Sequence, residues 1–192
     1  MTTALSRLSL LCLLTFLCVE LQAQAIGIRH IPLDWSDFQS SKPLGSRHAA
    51  AHISYALEYH LQGKGNQLNF NTRFKILKDK SWVDTKKLRG VNTSDREALL
   101  MHERGHLLIG LMYYNQLQKA FDALEYTGNI EGKARRTFNK MYRKMNRYNK
   151  KYDKKTAHGM DKHQQDVWIR RLMKAINKDY TLQKLRSTLQ GH

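Results

Sequence analysis

Cysteine is confined to the start of the chain: Cys12 and Cys18 are its two cysteines, and none follows. Everything beyond them is therefore without internal disulfides, a cysteine nucleophile or thiolate metal ligands. A metal there must be held by His, Asp or Glu, and all nine histidines lie beyond residue 25. Proline is scarce too, with two in 192 residues, and no internal repeat divides the chain. Acidic residues are few: 16 against 33 Lys and Arg leave a formal charge of +17. Such a surface favours anionic partners such as membrane faces, acidic polysaccharide or nucleic acid, and says nothing about the fold. Long apolar runs are also missing. Leu8 to Val19 is too short to span a bilayer, which needs about 20 apolar residues.

That short run has another meaning. Arg7 precedes it, and Leu21-Gln22-Ala23-Gln24-Ala25 closes it in small residues at an A-x-A site. This is the layout of a secretory signal peptide, residues 1–25, which predicts a secreted or periplasmic protein. Residues 26–192 are then one domain by length, with no transmembrane segment once the signal is removed.

The remaining chain changes period midway. Ile53, Tyr55, Leu57, Tyr59 and Leu61 alternate with Ser54, Ala56, Glu58 and His60; after Gly63-Lys64-Gly65-Asn66, Leu68 to Ile76 alternates again. Two half-buried strands joined by a Gly-rich hairpin are expected. Gly27 to Leu33 is a candidate further strand, and Asp34 to Phe38 a loop whose two aromatics are available for packing. From Thr93 the period becomes helical. Ser94 and Glu97 have capping-box spacing, so a helix is expected from Asp95 to about Leu124. Further helices are expected over 133–150, 161–177 and 182–189, with a turn over 152–160. The sum is an α+β domain, N-terminal antiparallel strands packed against three to four C-terminal helices.

The first helix carries His102-Glu103-Arg104-Gly105-His106. Residues at i and i+4 share a helix face, so both imidazoles can bind one Zn2+ ion. Glu103 follows the first ligand directly, where a general base can take a proton from metal-activated water. This H-E-x-x-H spacing is the signature of zincin metalloproteases. Three fixed positions in five also arise by chance, on a helix with two exposed histidines. The apolar neighbours Leu99, Leu100, Leu107, Leu108 and Ile109, which imply burial, argue against that.

A catalytic zinc usually takes three protein ligands. A metzincin would have its third histidine where Met112 stands, which excludes that class. Glu125 and Glu131 are the glutamates after the motif, awkwardly close to the first helix end. Tyr152 to Gly159 offers better donors: His158 beside a glycine, or Asp153 as ligand or as partner of a ligand imidazole, with His163 also within reach. Tyr152 is a candidate hydrogen-bond donor to a tetrahedral oxyanion, although such a tyrosine often simply packs.

Several segments together resemble a bacterial domain-of-unknown-function family of predicted secreted zinc-dependent proteases. They are Leu33-Asp34-Trp35-Ser36-Asp37-Phe38, the alternating strand from Ala49, Ser81-Trp82-Val83, Leu99 to His106, Tyr152 to Gly159, and Gln164-Gln165-Asp166-Val167-Trp168. The chain departs from the family in having Arg104 for Gln, and Leu107-Leu108-Ile109 for Phe-Asp-Ile. The resemblance implies a zinc site, strengthens His158 as third ligand beside His102 and His106, and suggests peptidase activity on a peptide or protein substrate with Glu103 as base and a zincin-like fold.

Arg135 to Lys155 holds ten basic residues and one acid, Asp153, interleaved with Phe138, Tyr142, Tyr148 and Tyr152. Basic residues among aromatics suit nucleic acid. A solvated cationic helix face is the plainer reading, with an anionic cell-envelope polymer as an intermediate one. Two rival functions remain open: a non-catalytic cationic envelope-binding protein, and a zinc amidase acting on a non-protein substrate. The intact Glu103 favours chemistry over binding alone.

Overall fold

A computed structural model of the chain describes residues 26–41, 49–63 and 69–190. The expected signal segment 1–25 and the hairpin tip at 64–68 lie outside the described residues. The alternating stretches form an antiparallel hairpin, β2 (Tyr55–Gln62) and β3 (Asn69–Ile76), in register Leu57↔Phe74 and Tyr59↔Thr72. Leu57 and Phe74 are buried in the core, while Arg73 and Lys75 on either side of Phe74 are exposed. A second small sheet pairs β1 (Ala51–His52) with β4 (Trp82–Val83), antiparallel, His52 opposite Trp82. Ser40 adds a parallel bridge to Trp82.

Five helices follow: α1 (Thr85–Leu88), α2 (Thr93–Asp122), α3 (Ile130–Thr156), α4 (Lys162–Asp179) and α5 (Leu182–Gln190). The fold is thus α+β, with a few short antiparallel strands ahead of the helices. In its middle, α2 is apolar on several sides, and Leu107, Leu108, Ile109, Leu111 and Leu117 are fully buried. A helix of that kind belongs at the centre. Here the hairpin, α3 and α4 all pack against it. No helix of the described residues is long and apolar enough to cross a membrane.

Three expectations need correction. The cap of α2 is Asn92, whose side chain accepts from Asp95 N at 2.9 Å; Ser94 falls inside the first turn, because Asn is as good a cap and comes earlier. Gly27 to Leu33 forms no ladder. A 3-10 turn (Ile28–His30) interrupts it, and Ile31 and Leu33 reach the core from irregular backbone. The turn expected over 152–160 is helical as far as Thr156. Tyr152 and Thr156, one turn apart, are both fully buried on the core side, and that packing carries α3 beyond its run of lysines. The expected loop at 34–38 is a short 3-10 turn (Trp35–Asp37), with the Trp35 and Phe38 rings 5.2 Å apart.

Candidate metal centre

The extension of α3 shapes the site, since it places Asp153 on a helix facing α2. His102 and His106 extend from one face of α2, their ring centroids 4.8 Å apart. Asp153 Oδ1 lies 3.2 Å from His102 Nε2 and 2.9 Å from His106 Nε2. The three donor atoms all fall within 4.8 Å of one another. His158, the other third donor open from the sequence, stands beside this group: Nδ1 is 3.9 Å from Asp153 Oδ1 and its side chain is 56% exposed. His163 is exposed at the start of α4.

The far side of each imidazole shows what the near side wants. Thr156 Oγ1 donates to the Tyr152 carbonyl at 2.9 Å, so toward His102 Nδ1, 3.5 Å away, it can only accept. Asn149 Oδ1 lies 2.8 Å from His106 Nδ1, and Asn149 Nδ2 donates to Tyr55 Oη at 2.8 Å. Both Nδ1 atoms therefore act as donors, and a neutral ring then turns an Nε2 lone pair toward the Asp153 carboxylate. Acceptors facing acceptors call for a cation between them, either added protons or a divalent metal. Two imidazoles and a carboxylate oxygen suit zinc, whose ligands sit at about 2.0–2.2 Å, so the residues fit the metal expected from the motif.

Without a metal, protons take that role. At His106 burial works to lower the pKa, but the bond to Asp153, the charges of Glu103 and Asp153 and the Asn149 contact push it up to about 9. At Asp153 burial works upward, yet hydrogen bonds from His102 and His106 and their charge hold it well below the usual carboxylate range.

Glu103 is 2% exposed, and its Oε2 accepts from the Ile53 backbone N–H at 2.8 Å. Among the described residues its other oxygen has no such partner. Glu103, both α2 histidines, Asp153 and His158 line one cleft of about 520 Å³. One wall is the segment Ala49 to Tyr55, and the other is α3 through Tyr142, Met145, Asn146, Asn149 and Lys150. Burial pushes the His52 pKa down and that of Tyr55 up.

Tyr152 does not line the cleft. It is fully buried, stacks on His102 at 4.7 Å and 15°, and donates its hydroxyl to the His102 carbonyl at 3.3 Å. Trp168 of α4 backs it at 5.7 Å. Gly105 permits this stack, since a Cβ there would lie 2.6 Å from Tyr152 Cζ. Past Thr156 the chain turns sharply, with Ala157, His158 and Gly159 in succession at φ 47°, 55° and 87°. Left-handed backbone is uncommon at residues other than glycine, and of Ala157 and His158 the alanine is the less expected there. The turn brings Gly159 against His102, where a Cβ would lie 3.0 Å from that of the histidine.

Asn149, Thr156 and Ile53 N–H were not singled out from sequence. One signal existed for Asn149: it precedes Asp153 by four residues, the same spacing as His102 and His106. That pairing has meaning only if the helix continues that far.

No curated protein and no solved structure matches the chain. Residues 35–159, which span both walls of the cleft and every residue of the His-His-Asp group, match one protein family. The chain belongs to that family, described as "Bacterial protein of unknown function (DUF922)".

Proposed function

We propose that the chain is a zinc-dependent hydrolase of the zincin type, a peptidase that is exported by its N-terminal signal. The observation that carries this reading is the convergence of His102 Nε2, His106 Nε2 and Asp153 Oδ1 beside a buried Glu103 in one open cleft. His102, His106 and Asp153 would hold the metal, with His158 next to them. A divalent cation there supplies Lewis acidity, which acidifies water and polarises a carbonyl. The chain's own residues do the rest. The Ile53 N–H fixes one oxygen of Glu103, so the free oxygen faces the cleft as the proton acceptor. Glu103 takes a proton as water oxygen bonds to the amide carbon, then delivers it to the leaving nitrogen as the C–N bond breaks. The products are a carboxylic acid and an amine. Asn149 and Thr156 keep the imidazoles in the ligating tautomer, and Tyr152 fixes the His102 ring by stacking, a positioning role.

The test is zinc content of the purified protein together with cleavage of a mixed peptide pool with and without chelator. One bound zinc per chain and cleavage lost on chelation are expected. A zinc-loaded protein that cleaves no peptide but opens non-peptide amides would make it an amidase. A protein that takes up no zinc would leave the envelope-binding reading.

A further inference from the structure

Of the charged side chains lining the cleft, Glu103 is tied to Ile53 N–H and Asp153 to the two imidazoles. Lys150 is different. It lines the same cleft, and among the described residues no carboxylate lies within ion-pair distance of it. It does not stand alone. Arg143 and Arg147 precede it by two turns and one turn, Lys154 follows by one, and Arg136 continues the row, all on one side of α3. All five are exposed. From Gly132 to Tyr152 the helix has no acidic residue at all.

We propose that this row is the recognition surface for acidic segments flanking the scissile bond of a polypeptide substrate. The inference rests on the peptidase reading and adds the substrate's charge. A helix rises 1.5 Å per residue, so Arg136 to Lys154 extends about 27 Å. An extended peptide covers that length with about eight residues. A chain entering the cleft and leaving along α3 would therefore set several carboxylates opposite cations that no carboxylate among the described residues pairs. Attraction between a positive groove and an acidic ligand raises its local concentration and is screened by salt.

Nucleic acid fits the same row less well. Grip on single strands needs aromatic faces for the bases to stack on. Phe138, Tyr148 and Tyr152 are instead packed into or against the core, which leaves Tyr142, 44% exposed, as the open aromatic of this helix segment.

The test uses zinc-loaded protein carrying Glu103→Gln and three fluorescein-labelled decapeptides that share an Ala-Leu core. Their flanks are Glu/Asp, Gln/Ser or Lys. Anisotropy titrations at 50 mM NaCl should give at least tenfold tighter binding of the acidic peptide than of the Gln/Ser one. Most of that advantage should vanish at 500 mM NaCl. The double charge reversal Arg143→Glu with Arg147→Glu, on exposed positions, should move the preference to the Lys-flanked peptide with the thermal midpoint kept. Acidic and neutral peptides that bind alike at low salt, or a preference that survives both salt and charge reversal, overturn the proposal. Duplex DNA or phosphatidylglycerol vesicles that bind the row while the peptides are not discriminated overturn it in favour of those partners. Cleavage by the unsubstituted protein is read separately. Selective binding without cleavage of any peptide sinks the hydrolase and keeps the row, whereas equal kcat/KM on all three sinks the row and keeps the hydrolase.

Discussion

Glu103 Oε2 and the backbone N–H of Ile53 meet at 2.8 Å across fifty residues of sequence. The bond ties the proposed base to the Ala49–Tyr55 segment that forms one wall of the cleft, and it occupies one carboxylate oxygen only. Glutamine at 103 can still accept from Ile53 N–H through its amide oxygen, but it cannot take up a proton. Glu103→Gln should therefore keep the fold and the zinc and lose about 10²- to 10⁴-fold in kcat, the usual contribution of a general base. Zinc analysis and peptide-cleavage rates on one preparation check this. Full turnover would end the proposed mechanism.

Asp153 and His158 divide differently. Asp153 Oδ1 touches both imidazoles, whereas His158 approaches only Asp153, at 3.9 Å, with its ring largely in solvent. Asp153→Ala should leave two ligands and release the metal during dialysis, and His158→Ala should retain it. Zinc content by mass spectrometry separates the two variants. Metal lost from the His158 variant and kept by the Asp153 variant would give the third position to the histidine.

The motif on α2 and the hairpin were legible because both are short-range patterns: i, i+4 spacing on a helix, and alternation on a strand. For the third donor the sequence favoured His158 and kept Asp153 as the alternative, whereas the structure groups Asp153 with the two imidazoles and sets His158 beside them. Choosing required knowing that α3 runs to Thr156, and that follows from Tyr152 and Thr156 packing against His102, a contact about fifty residues away. The same long range hid the Ile53 bond, since a backbone N–H leaves no mark in sequence. Gly27 to Leu33 misled for the opposite reason: Ile31 and Leu33 are core residues placed without any ladder, and burial alone mimics a strand.

Asn149 bridges His106 Nδ1 and Tyr55 Oη, at 2.8 Å to each. Leucine there is of similar size but leaves the imidazole without an acceptor, so the ring is free to turn. Asn149→Leu should weaken zinc binding about 10- to 100-fold, as loss of an outer partner of a ligand histidine does. Competition against a chromophoric chelator measures it. An unchanged affinity would show that packing alone orients His106.

Gly105 sits under the Tyr152 ring, where a Cβ would approach Cζ to 2.6 Å. Tyr152 is fully buried between His102 and Trp168, so it has no room to withdraw. Gly105→Ala should destabilise the fold by about 1–3 kcal/mol, the cost of overpacking, despite the better helix propensity of alanine. Zinc affinity should fall as well, because the ring that positions His102 moves. Denaturant unfolding with and without zinc tests both parts, and a variant more stable than the parent would show that the stack yields cheaply.

On the proposed reading protons and zinc compete for the same gap, which would give opposite pH trends with and without metal. In the metal-free protein the pKa of His106 is raised to about 9 from an ordinary 6.5. Its contribution is fully present below pH 6.5 and is lost as pH rises through 9. Asp153, lowered from 3.8, contributes above that value and loses its effect as pH falls further. The thermal midpoint of chelated protein should thus be highest between about pH 4 and 6.5 and decline toward 9. Zinc must displace the His106 proton, so its added stabilisation should grow over the same interval. Thermal scans from pH 5 to 9, in chelator and in excess zinc, give both curves, with His106→Gln as the reference that flattens them. A chelated midpoint that climbs from pH 6.5 to 9 as steeply in the parent as in that variant would remove the His106–Asp153 pair from the account.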